Sequence, residues 1–142
     1  MRFTPSLPGD IEQLSEWIQA DPYHKDCLDP VWWLTGNGFL SLCVQDDHGP
    51  TMYARIDKED GLMRLHVQFA PEQEVSKKRV IASLIWSLPK MGYLARQENL
   101  KGFIYRSTSP LLIAFMKREF GFESVGDDDF VLQFGVTDVR TK

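Results

Sequence analysis

Leu65, Val67 and Phe69 fall on one side of residues 62–69, and Arg64, His66 and Gln68 fall on the other. That alternation is the period of a half-buried strand. Ala70 and Pro71 close it, because proline has no N–H to give to a ladder. A polar loop follows, Glu72 to Val75. The apolar period then changes. Val80, Ile81, Leu84, Ile85 and Leu88 recur at helical spacing and predict an amphipathic helix over 76–88. A helix that starts on a short loop after a strand leaves backbone N–H groups without intrahelical acceptors. Such a start is a natural anion site.

The same reading extends along the chain. Residues 1–7 predict a short first strand, held to an edge by Pro5. Pro8-Gly9 turns. Asp10 stands as an N-cap with Gln13 at capping-box spacing, and Ile11, Leu14, Trp17 and Ile18 give one apolar face to a helix over 10–20. Residues 23–37 have no clear period. A short helix is expected from Pro30 with Asp29 as its cap, and at least one of Trp32 and Trp33 is expected in the core. Residues 38–45, 51–57 and 62–69 are strands joined by polar turns, an antiparallel meander. Pro89 predicts a break or restart of the helix, with a further turn or two over 91–97. Residues 101–106 form a strand with Phe103 and Tyr105 on one side. Parallel pairing with 62–69 makes the intervening helix a right-handed crossover. Ser109 caps a last helix that opens on Pro110 and stops at Gly121. Leu111, Leu112, Phe115, Met116 and Phe120 are its inner face. Residues 122–125 and 130–134 make a closing hairpin, and 135–142 a flexible tail.

Composition narrows the class. A chain of 142 residues suits one domain with a core of its own. Hydrophobic residues at 43% and charged residues at 25% are ordinary for a soluble globular protein. A net charge of −4 gives no broad basic footprint, so nucleic acid is not an expected partner. Cys27 and Cys43 form no CxxC pair, which argues against a disulfide scaffold or a zinc site and for a reducing cytoplasm. His24, Cys27 and Asp29 are metal-ligand types without a partner motif. The first ten residues hold no apolar signal region, and no apolar run is long enough to cross a bilayer. A cytoplasmic location is expected, away from membranes.

Two segments resemble the GNAT family, the GCN5-related N-acetyltransferases. The first is the strand, loop and helix at 62–88. In the family a loop of pattern Gln/Arg-x-x-Gly-x-Gly/Ala wraps the CoA pyrophosphate at that place. Here Gln73-Glu74-Val75-Ser76-Lys77-Lys78 occupies it, with Ser76 and Lys78 at the small positions. The second is the helix ending in Phe120-Gly121-Phe122 before a hairpin. The resemblance implies an α/β (α+β) fold: a mixed, mostly antiparallel sheet with helices on both faces, whose two parallel strands diverge at their ends. It implies acetyl-CoA as cosubstrate and acetyl transfer to an amine acceptor that the sequence leaves unknown. The implied cofactor contacts are Val67, Phe69, Gln73, Glu74, Val75, Ser76, Lys77, Lys78 and Ser109. Lys117 stands where many members carry a tyrosine acid, with Tyr105 as a substitute. His66 is the candidate base, having an ordinary pKa near neutrality, with Asp57 and Glu59 as alternatives. The alternative is a non-catalytic protein of the same fold that acts through protein contacts at Trp32 and Trp33; the partner expected is another protein or a second copy in a homodimer.

Overall fold

Seven strands pair into one sheet in the order β1-β2-β3-β4-β5-β7-β6. They are β1 (Arg2–Pro5), β2 (Phe39–Asp46), β3 (Gly49–Glu59), β4 (Leu62–Phe69), β5 (Gly102–Arg106), β6 (Glu123–Gly126) and β7 (Asp129–Gln133). The helices are α1 (Ile11–Ala20), α2 (Lys77–Gln97) and α3 (Pro110–Phe120), with short 3₁₀ turns at Pro8–Asp10 and Pro30–Leu34. The computed structural model describes residues 1–24, 29–35 and 39–135. Cys27, Gly38 and the tail beyond Gly135 lie outside the described residues.

Alternation decides which face each side chain covers. On β3 and β4, Met52, Ala54, Ile56, Met63 and Leu65 face α2 and α3, and they join Leu84, Leu88, Met91 and Met116 in the larger core. Cys43 and Tyr53 face the other way and pack with Leu14, Trp17 and Ile18 of α1. Helices therefore cover both faces, as the resemblance implies. The meander β2-β3-β4 is antiparallel throughout. β4 and β5 run parallel, joined by the crossover α2. Their ladder holds only Met63↔Phe103, Arg64↔Ile104 and Leu65↔Tyr105. β4 then continues to Phe69 without a strand partner on that side among the described residues, and a gap opens in the sheet.

Local expectations hold at several ends. Ser109 Oγ accepts the Leu112 N–H at 3.4 Å, and Asp29 accepts the Val31 N–H at 3.0 Å. Gly121 takes a left-handed φ of 86° and stops α3. Three expectations are corrected. Pro89 neither breaks nor restarts the helix: α2 runs through it from Lys77 to Gln97. Pro89 and Ile85, whose carbonyl would have been its partner, are both exposed, so the freed carbonyl is not buried in the core. Asp10 caps no amide of α1. Its carboxylate accepts the Leu7 N–H at 2.7 Å and the Tyr53 hydroxyl at 2.9 Å, while Gln13 donates to Tyr53 Oη at 2.8 Å. A tertiary partner on β3 thus replaces the local capping box. β3 itself is longer than expected, beginning at Gly49 and reaching Glu59.

Candidate active site

The gap between β4 and β5 opens a cavity of about 280 Å³. Its walls come from both faces of the sheet. Trp32, Trp33, Asp21, Tyr23, His24 and His66 line the side nearer α1. Leu84, Leu88 and Met91 of α2 and Leu112 and Met116 of α3 line the other, with Tyr105, Val67, Phe69 and Ser109 at the divide. Apolar walls with a few polar groups are the usual make-up of a small-molecule site.

His66 is carried by the polar alternation of β4 and stands opposite Arg55 in the β3–β4 register. Its Nε2 lies 3.4 Å from Asp57 Oδ2. Trp32 meets the imidazole edge-on at 4.8 Å. Burial pushes the His66 pKa down to about 4, against the pull of the Asp57 carboxylate. The ring is therefore neutral at pH 7, and a proton on Nε2 faces the carboxylate. The two carboxylates named as alternatives are each committed to an arginine. Asp57 receives Arg55 Nε at 3.0 Å, and Glu59 receives Arg64 Nη2 at 2.6 Å. Arg64 also reaches Asp129 at 3.1 Å.

Tyr105 lines the same cavity from β5 and packs on Phe122 and Phe130. Its hydroxyl is buried without a hydrogen-bond partner among the described residues, and burial pushes its pKa up to about 12. It keeps its proton throughout the neutral range. Lys117 is exposed on α3 and is not part of the cavity wall, whereas its neighbour Met116 is.

The loop before α2 lies apart from the cavity. The N–H groups of Glu74 and Val75 both close onto the Pro71 carbonyl, at 2.9 and 3.0 Å. The Val75 side chain is buried beside Trp17 and Tyr53. Ser76 caps α2, its Oγ accepting the Arg79 N–H at 3.3 Å. Lys77 and Lys78 are exposed in the first turn, where amides lack intrahelical acceptors, and neither has an ion-pair partner among the described residues. Arg79 turns away to Asp46, which it holds through two contacts of 2.7 Å. Glu72, Gln73 and Glu74 are exposed.

Several residues of the site escaped sequence reasoning. Gln68 is fully buried, and its amide joins His24 Nδ1 at 2.7 Å and Asp21 Oδ2 at 3.0 Å. Its only sequence signal was its place beside His66 in the alternation. Arg55 had none beyond being a charge inside a strand. Of the paired tryptophans, Trp33 is 4% exposed and Trp32 37%, so one is core and the other is half at the surface. Among the described residues no group of His, Cys, Asp and Glu could hold a metal. No described helix is long and apolar enough to cross a membrane.

No protein-family model matches the sequence, and no curated protein matches it. Solved structures do match the fold. The ribosomal-protein-S18-alanine N-acetyltransferase of Escherichia coli superposes with a TM-score of 0.65 at 11% identity, over 92% of this chain and 90% of that one. A GNAT-family acetyltransferase of Staphylococcus aureus gives 0.67 at 12% identity, over 94% and 99%. The PaiA N-acetyltransferase of Thermoplasma acidophilum, solved with coenzyme A, gives 0.60 at 14% identity, over 94% and 98%. With the parallel β4–β5 pair, the gap beyond it and the crossover helix between them, the chain has the GNAT fold.

Proposed function

We propose that this protein is an acyl-CoA-dependent N-acyltransferase that moves an acetyl group to a primary amine. The observation that carries the reading is the cavity through the sheet, which His66 enters from one face and Tyr105 from the other. Structural neighbours that are N-acetyltransferases, one of them solved with coenzyme A, support it. Acetyl-CoA supplies the activated acyl group: the amine nitrogen bonds to the thioester carbon as the C–S bond breaks. His66 receives the proton that leaves nitrogen, at Nδ1, the ring nitrogen that does not face Asp57. Tyr105 offers its hydroxyl to the departing sulfur, and uptake of one proton there completes the thiol. Apolar walls exclude water and orient the two reactants. Lys77 and Lys78, unpaired beside the first amides of α2, are the cations for the phosphates.

Calorimetry with acetyl-CoA is the direct test, followed by His66→Ala in a transfer assay. Binding in the unmodified protein, with a rate at saturating acetyl-CoA that falls at least tenfold in the variant while affinity holds, is the expected result. Absence of heat and of thermal shift at millimolar acetyl-CoA would sink the reading. A non-catalytic role through the Trp32 surface would then stand, consistent with the closed Glu74 and Val75 amides.

A further inference from the structure

Arg55 is 5% exposed, yet it sits in the middle of β3 on the face that carries His66. A buried guanidinium is tolerated only when its donors find partners. Among the described residues they reach one carboxylate and two backbone carbonyls. Nε and Nη2 hold the Asp57 carboxylate at 3.0 and 3.3 Å. Nη1 donates to the carbonyls of Trp32 and of Thr35, the latter at 2.6 Å. The guanidinium carbon also lies 4.0 Å from the centroid of the Trp32 ring. One side chain thus fastens the Pro30–Leu34 turn, which carries the Trp32–Trp33 wall, to the strand that presents Asp57 to His66.

We propose that Arg55 is the positioning residue of the amine-acceptor side. It holds the aromatic wall over His66 and fixes the carboxylate that orients the imidazole. The proposal rests on the N-acyltransferase reading for the word acceptor, but its geometry does not. Lysine cannot replace it, because one ammonium cannot fork between a carboxylate and two carbonyls. The charges that bear on His66 are Arg55, Asp57 and Glu59 on β3 and Arg64 on β4. Asp21 and His24 line the same cavity from beyond the end of α1. Removing the Arg55 cation leaves Asp57 less opposed, so His66 should become easier to protonate.

The test uses Arg55→Lys, Arg55→Met and Asp57→Asn, with glycinamide and n-butylamine as probe acceptors. In both Arg55 variants the acceptor KM should rise about tenfold or more, with acetyl-CoA affinity within about twofold of the unmodified protein. The His66 midpoint, followed by NMR of its ring carbon, should rise in Arg55→Met and fall in Asp57→Asn. Trp32 should become more open to acrylamide quenching in both Arg55 variants. Folded variants that keep the acceptor KM, the His66 midpoint and the quenching of the unmodified protein would overturn the proposal. Should Arg55→Met not fold, Arg55→Lys and Asp57→Asn decide the wall and the imidazole separately. If the unmodified protein does not bind acetyl-CoA, the transferase reading fails. The midpoint and the quenching still decide the role of Arg55.

Discussion

His66 carries two opposed influences, a carboxylate 3.4 Å away that favours its charged form and a buried site that disfavours it. Burial wins, and the folded pKa of about 4 lies below the ordinary histidine value. The sign for stability follows. Above the ordinary value both folded and unfolded chains hold the ring neutral, and stability is complete. As pH falls, the unfolded chain takes up the proton first, so stability is lost between about pH 6.5 and 4. The loss from this residue should be on the order of 2–3 kcal/mol. Urea unfolding across that range checks it: His66→Gln should flatten the dependence, and an unchanged slope would show the histidine to be accessible and ordinary. The same depressed pKa keeps the imidazole ready to accept a proton down to about pH 5. His66 was legible in the sequence because alternation alone puts it on the polar face of a strand. Arg55 was not, because its partners Trp32 and Thr35 lie 23 and 20 positions earlier along the chain, beyond the reach of any local pattern.

Elements were readable where the hydrophobic period is long and their ends carry the expected chemistry. Ser76 and Ser109 cap α2 and α3, and Gly121 ends α3, each for a reason visible locally. Pro89 misled because the rule for proline concerns one hydrogen bond and one clash. Burial of Leu84, Leu88, Met91 and Ala95 along the rest of α2 outweighs both. Asp10 misled because a tyrosine on β3 competed for its carboxylate. The start of α2 bears its own prediction. Lys77 and Lys78 place positive charge where the helix dipole disfavours it, by roughly 0.3–1 kcal/mol each. Changing both to glutamate should leave folding stability unchanged or slightly raised. It should weaken acetyl-CoA binding at least tenfold, and added salt should weaken binding to the unmodified protein. Calorimetry at two salt concentrations measures the effect. Equal affinity in the double variant would place the phosphates elsewhere.

Across the whole molecule, the meander and the parallel β4–β5 pair followed from the order of elements, but the packing of β7 against β5 did not. Gly102 opens β5 opposite Gln133, where a Cβ would stand 2.2 Å from the Leu132 carbonyl oxygen and 2.9 Å from Gln133 Cα. Both obstacles are backbone, so no side chain can move aside. Gly102→Ala should therefore lose about 2–4 kcal/mol by chemical unfolding, and a loss below about 0.5 kcal/mol would mean that β7 shifts freely. Nothing in the sequence marks that glycine, since its crowding comes from a strand thirty residues later. The short β4–β5 ladder has a mechanical consequence. The meander and the β5-β7-β6 half share a ladder of three residue pairs, braced by α2 and by the Arg64–Asp129 ion pair. Along the rest of the seam, among the described residues, no ladder joins the two edges. A molecule gripping both edges would act as a staple there, so occupancy of the gap and stiffness of the molecule should rise together.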